Sequence, residues 1–66
     1  MNVHYDRSAN VLTIRLRDGE VAESDEAHPG VILDVDAGGR LLVVEILDAS
    51  QNVALPGSVT LKVAAK

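Results

Sequence analysis

The sequence predicts a small α+β fold, mainly an antiparallel β-meander of four to five strands with a short helical turn near residues 48-55. Short segments alternate apolar and polar residues with period two, which is typical of strands with one buried face. Turn-forming residues separate these segments at hairpin spacing. At 66 residues the chain is long enough for one domain, so residues 1-66 are expected to form a single unit.

The first predicted hairpin lies at the N-terminus. Val3 and Tyr5 alternate with His4, and the turn-forming segment DRSAN follows. The next segment, VLTIRLR at residues 11-17, alternates apolar with polar residues. Because one side of this pattern is apolar and the other polar, it favours a half-buried strand that pairs with the first.

The second predicted hairpin joins VILDVD, residues 31-36, to RLLVVEIL, residues 40-47, through AGG. Its second strand is apolar on both faces from residue 41 to residue 44, a pattern typical of strands that are covered on both sides. One small sheet cannot cover both of its own faces. We therefore expect this strand to lie in an interface with a second chain.

Three other segments are less regular. The acidic segment 18-30 leaves room for a short edge strand around Val21, and we expect it to be the most mobile internal segment. After Leu47, Asp48 or Ser50 can serve as the N-cap of a helical turn that Pro56 and Gly57 end. The final residues, SVTLKVAAK, alternate as a further strand would.

Composition narrows the classes of function. The formal net charge is -4 and the six Lys and Arg residues are scattered, which argues against direct nucleic-acid binding. No segment approaches the ~20 apolar residues of a membrane span, so a cytoplasmic protein is expected. With no cysteine and a single aromatic residue, Tyr5, the aliphatic core is thin. Association as a homodimer would compensate for this thin core.

One stretch resembles a calcium-binding loop. Asp34, Asp36, Gly39 and Glu45 fit the spacing of an EF-hand, but Gly38 stands where a ligand oxygen is required. The residues before Glu45 favour a strand, and a hairpin would hold Glu45 more than ~10 Å from Asp36. We therefore predict no metal site and no cofactor, with the two aspartates flanking a turn.

Catalytic residue types are present without a catalytic context. His4 or His28 could be combined with Ser8 or Ser50 and an aspartate, but neither serine lies in a G-x-S-x-G segment. A chain of this length also has little room for a substrate pocket. The sequence therefore favours a protein that is not an enzyme and has no catalytic residues.

Glu45 is the polar residue that most needs an explanation. It interrupts an apolar strand, and a carboxylate facing a core requires a cationic partner or becomes protonated. Arg15 and Arg17, on the polar side of another strand, are the expected partners. Such an ion pair would fix the strand register or close a dimer interface. The alternative is a small-ligand binding or enzymatic site around Tyr5, Arg15 and Glu45.

Three segments resemble, in the same order, the signature of a small prokaryotic family, domain of unknown function 2283. They are YDRSANVLTIRL, VAESDEAHPGVILDVDAGGRL and VEILDAS, and they cover about residues 3-50. The chain departs from the family pattern at Gly38, where Asp is usual, and at Val43, where Gly is frequent. The family-typical polar residues are Tyr5, Asp6, Arg15, Asp34, Asp36, Glu45 and Asp48.

The resemblance implies a short, stand-alone protein without assignable catalytic residues. It also implies an antitoxin role, because some family members are thought to be encoded beside small toxin-like proteins. Together with the acidic composition, it leads us to expect a homodimeric, non-enzymatic interaction module whose acidic surface binds a small basic protein.

Overall fold

The structure, a computed structural model, describes residues 1–54, and these form one sheet with one short helix. The strands are β1 (Asn2–Asp6), β2 (Val11–Arg15), β3 (Glu23–His28), β4 (Val31–Val35) and β5 (Leu41–Leu47), followed by the helix α1 (Ala49–Asn52). All neighbouring strands are antiparallel. The predicted fold class is therefore confirmed. The further strand predicted in SVTLKVAAK lies outside the described residues.

The strand order, which the sequence left open, is β1-β2-β5-β4-β3. The two predicted hairpins, β1–β2 and β4–β5, are both present. The last strand, β5, lies in the centre because it pairs with β2 on one side and β4 on the other. Strands β1 and β3 are the two edges of the sheet.

One face of the sheet, here called the apolar face, carries two rows of apolar side chains. Residues that lie opposite each other in an antiparallel ladder point to the same face, so the register defines each row. The rows are Val3, Ile14, Val44 and Leu33, and next to it Tyr5, Leu12, Ile46 and Val31. At β3 the two rows end in polar residues, Asp25 and His28.

The opposite face, here called the polar face, mixes charged and apolar side chains. One row across it contains Asn2, Arg15, Val43, Asp34 and Ser24, and the next contains His4, Thr13, Glu45, Ile32 and Glu26. This face therefore holds Arg15 and Glu45, two of the three residues predicted as an alternative ligand site.

The buried core is small and centres on β5. Leu42 and Val43, adjacent residues of β5, are 0% and 3% exposed. The loop after β2 packs on Leu42, because a Cβ atom at Gly19 would lie 2.9 Å from its Cδ2 atom. The chain itself thus buries β5 at these two positions, while Leu41 and Val44 stay half-buried.

The acidic segment differs from its prediction in detail. The edge strand forms at Glu23–His28, and Val21 lies before it with 44% of its surface exposed. Pairing with the apolar strand β4 through the turn at Pro29 and Gly30 places the polar residues in the sheet. Gly30 has a φ of 81°, which a residue with a side chain rarely adopts.

Candidate functional site

Glu45 lies on the polar face beside a second carboxyl group. It is opposite Thr13 of β2 and Ile32 of β4, and Asp34 occupies the diagonal position on β4. A hydrogen bond with Asp34 raises the pKa of Glu45, and burial and the charge of Asp34 raise it further. A hydrogen bond between two carboxyl groups requires a proton on one of them. The neighbouring Asp34 carboxyl group thus makes the ionised form of Glu45 less favourable than it is in water.

Asp34 is the most enclosed charged residue of the described chain. It is 5% exposed, and Ser24 on β3 donates a hydrogen bond of 2.5 Å from its Oγ atom to Asp34 Oδ1. This bond links edge strand β3 to β4, and Asp34 in turn lies diagonal to Glu45 on β5. Ser24, Asp34 and Glu45, here called the carboxyl cluster, thus connect three neighbouring strands.

The predicted cationic partner of Glu45 is not found among residues 1–54. Arg15 lies on the same face, but the register places it opposite Val43, one row away from Glu45. The ion pair that the described residues do form joins Arg40 Nε to Asp36 Oδ2 at 3.1 Å. The expected ion pair of Glu45 with Arg15 or Arg17 is therefore wrong, and the neighbour of Glu45 on this face is Asp34.

Tyr5, the third residue of the predicted ligand site, belongs to the opposite face. It lies across from Leu12 in the apolar rows, and its hydroxyl group donates a 2.7 Å hydrogen bond to Asn10 Oδ1. The structure thus brings Arg15 and Glu45 to one face of the sheet and Tyr5 to the other. A ligand that contacts all three would have to reach around an edge of the sheet.

Asn10 forms a junction that the sequence interpretation did not identify. Its side-chain oxygen also accepts a hydrogen bond from the Ser50 N–H at 3.0 Å, and its amide nitrogen donates to Ser50 Oγ at 2.9 Å. Its backbone carbonyl accepts from the Ala49 N–H at 2.9 Å. Asn10 adopts a φ of 57°, which asparagine tolerates better than most residues. These bonds fix α1 against the β1–β2 turn.

Asp36 organises the β4–β5 turn, as its predicted turn-flanking position required. Its Oδ1 atom accepts hydrogen bonds from the N–H groups of Gly38 and Arg40, both at 2.9 Å. The hydrogen bond from the Arg40 N–H is the largest influence on the pKa of Asp36 and lowers it. Desolvation raises this pKa by a smaller amount, and the Arg40 charge and the Gly38 N–H lower it further. Asp34, its partner in the calcium-like spacing, instead belongs to the carboxyl cluster. Within residues 1–54, no three potential ligand side chains converge as they would around a metal ion.

The clefts of the described chain lie away from the carboxyl cluster. The larger, about 470 Å³, is between the loop after β2 and the β4–β5 turn, and Arg17, Glu20 and Arg40 contribute to its lining. The smaller, about 270 Å³, includes Arg15 and Arg17. Neither is lined by Glu45 or Tyr5. The larger cleft is shallow and carries both signs of charge, and its Arg40 is already held by Asp36.

Comparison with known proteins identifies the family of this chain but does not identify a function. A family model described as a protein of unknown function, DUF2283, matches residues 2–50. No curated protein and no solved structure has a significant match to the chain. The described part of the chain contains no helix that is both long and apolar enough to cross a membrane.

Proposed function

Because the chain belongs to the DUF2283 family, whose function is unknown, we propose its role from the geometry of the sheet. The proposed protein is a non-enzymatic interaction module that acts in the cytoplasm as a homodimer. In this proposal its acidic surface binds a small basic protein, as an antitoxin binds a toxin. The argument for the homodimer depends on the apolar face, and the argument for the partner depends on charge.

The observation that carries the homodimer is the accessibility of the apolar face. Eight apolar side chains lie in its two adjacent rows, and all of them except Leu12 are half-buried or exposed within one chain. A continuous apolar surface of this kind marks an interaction site in a soluble protein. Packing a second sheet against it would remove the apolar side chains from water at roughly 25 cal/mol per Å².

A second copy of the chain is the occupant that we propose for this face. Two antiparallel sheets pack face to face with their strands at about 30° and their apolar side chains interdigitated. A twofold axis through the apolar face would bring identical rows together, which is the commonest arrangement in homo-oligomers. The polar residues at the β3 end of the rows, Asp25 and His28, would then mark the border of the interface.

Charge distribution supports a basic partner. Residues 18–36 contain neither Lys nor Arg, and five of their seven Asp and Glu residues are exposed: Asp18, Glu20, Glu23, Asp25 and Glu26. A surface of one sign attracts a partner of the opposite sign and accelerates its association. The partner is expected to be a small basic protein, and the first candidate to test is the product of a neighbouring gene, by co-purification with this chain.

Light scattering during size-exclusion chromatography tests the homodimer directly. Across a dilution series from about 100 to 1 μM we expect the mass of two chains, with a β-sheet circular dichroism spectrum on the same fractions. A single-chain mass at micromolar concentration, together with cooperative unfolding, would overturn the homodimer. This result would not affect the proposed binding of a basic partner, which is tested separately.

The alternative function, a ligand site, is supported by one observation on the polar face. The carboxyl cluster is partly enclosed, and Arg15 lies on the same face as a cationic group. A small polar ligand could contact both Arg15 and Glu45. In this case the Glu45→Gln protein would keep its fold and lose binding to a metabolite, which a thermal-shift screen against a metabolite library would detect.

A further inference from the structure

We propose that the outer edge of β3 binds a basic, extended segment of the partner protein by strand addition, so that the partner supplies a sixth strand to the sheet. The inference deepens the proposed function, since it states where the basic partner binds and in which conformation. It rests on the proposed partner binding and is independent of the homodimer.

The first argument is that β3 has an open edge. It is the last strand in the sheet order and pairs with β4 alone among the described residues. All six of its residues are exposed. In an antiparallel ladder, the N–H and C=O groups of alternate residues point to opposite sides, so half of those in β3 face outward. An added strand would satisfy these groups with backbone hydrogen bonds.

The second argument is the charge of this edge. Glu23, Asp25 and Glu26 lie in β3, and its pairing places Asp25 on the apolar face and Glu26 on the polar face. A strand added beside β3 would therefore meet carboxylates on both of its faces. Lys or Arg side chains at these positions would form cross-strand pairs of opposite charge. A second copy of β3 would instead place like charges opposite each other.

The other edge of the sheet lacks this combination. Strand β1 contains one carboxylate, Asp6, which is already engaged by the N–H groups of Ser8 and Ala9 at 3.0 and 3.1 Å. The register of β3 with β4 shifts between Glu26 and His28. The regular part of the β3 edge is therefore Glu23 to Glu26, which fixes the length of the added segment at about four residues.

The probe for this proposal is an acetylated and amidated hexapeptide of alternating lysine and threonine. We expect saturable binding in low salt that weakens at least about tenfold between 50 and 300 mM salt, because charge contributes to it. In hydrogen exchange, the outward-facing amides among Glu23 to Glu26 are expected to gain protection while those of β1 do not. A matched peptide with a methyl group on every backbone nitrogen keeps the charge and should bind at least about tenfold more weakly, since neither of its edges can donate the hydrogen bonds of the ladder.

Variants of the chain locate the site by charge. Glu26→Lys is expected to weaken binding of the hexapeptide at least about tenfold. Glu20→Lys makes the same change in net charge outside β3, in the loop before it, and should change binding no more than about twofold. Equal effects of the two variants, equal binding of the N-methylated peptide, absence of binding, or protection confined to β1 would each overturn the proposal.

Mass measurements on the same samples keep the two hypotheses separate. If the homodimer is wrong, the protein is a monomer in light scattering, yet the hexapeptide still protects β3. If strand addition is wrong, the mass of two chains remains and β3 gains no protection. If the partner binds without strand addition, the co-purified complex forms while the N-methylated peptide binds as well as the unmodified one.

Discussion

Glu45 and Asp34 lie diagonal to each other across β5 and β4, and the Asp34 carboxyl group raises the pKa of Glu45. Ser24 extends this contact to β3 with a hydrogen bond to Asp34. The carboxyl cluster therefore couples the protonation of one side chain to the pairing of three strands. Protonation of Glu45 is expected to stabilise this cluster, whereas protonation of the carboxylate in an ordinary ion pair destabilises that pair.

We expect Glu45→Gln to stabilise the protein at pH 7. The pKa of Glu45 is raised in the folded state, so its contribution is fully present below the unfolded pKa and is lost as pH rises through the folded value. Glutamine can donate a hydrogen bond to Asp34 at every pH. Denaturant unfolding should show a gain of up to about 1 kcal/mol at pH 7 and little difference near pH 4.

Glu26→Gln is the control for this substitution. It removes a carboxylate from the same face at an exposed position in β3, so its effect should be small and without the same pH dependence. A Glu45→Gln protein that is less stable than the wild type at pH 7 would contradict a raised pKa of Glu45 in the folded state. It would indicate instead that the ionised carboxylate has a favourable partner.

Asp36 should control part of the acid unfolding. Its pKa is lowered in the folded state, mainly by the Arg40 N–H, so its contribution is present above the unfolded pKa near 3.8 and is lost as pH falls through the folded value. Asp36→Asn keeps an oxygen acceptor for the turn but cannot be protonated or form the ion pair. We expect a lower Tm at pH 7 and a smaller further loss between pH 4 and pH 2, as measured by thermal unfolding. If the loss of Tm between pH 4 and pH 2 is the same as in the wild type, Asp36 does not contribute to acid unfolding.

Asn10 should be the most sensitive residue of the β1–β2 turn. Asn10→Gly keeps the positive φ and removes the bonds to Tyr5 and Ser50, so a loss of about 1–2 kcal/mol is expected. Asn10→Ala adds backbone strain and should cost about 1 kcal/mol more. Urea unfolding of both variants separates the two effects. Equal stability of the Gly and Ala variants would show that the positive φ carries no cost here.

Val3 provides a test of the proposed homodimer with little effect on a single chain. It lies in the apolar rows opposite Ile14 and is 41% exposed, whereas Val21 is similarly exposed outside the rows. Val3→Lys should raise the dimer dissociation constant at least about tenfold, because a charge would enter the interface. Val21→Lys should leave it nearly unchanged in the same sedimentation experiment. Equal effects would place the interface elsewhere.

The sequence predicted the parts of the fold whose patterns are local. Alternation in β2 and the turn-forming segment DRSAN predicted the first hairpin, and AGG predicted the β4–β5 hairpin. The helix begins after Asp48 as expected, but the Asp48 side chain makes no capping hydrogen bond. Strand β3 was placed too early because its residues, apart from Ala27, are polar and show no alternation. These residues form a strand because they pair with β4, and the pattern within the segment does not indicate this pairing.

The site could be predicted only in part, because it depends on contacts between distant segments. The unusual position of Glu45 was visible in the sequence, but its neighbour is set by the register of β4 with β5 and by the bulge near Asp34. A shift in register would have brought another side chain to the diagonal position. The role of Asn10 requires contact with Ser50, 40 positions away, and no local pattern indicates that contact.

The central position of β5 has a consequence for how the chain acquires its fold. During synthesis, the β1–β2 and β3–β4 hairpins emerge first, but two-stranded hairpins have little stability of their own in water. Neither has its neighbour in the sheet until residues 41–47 have left the ribosome. Chains that end before Leu41 are therefore expected to stay unfolded and to be degraded, while the addition of one seven-residue strand completes the whole sheet in a single cooperative step.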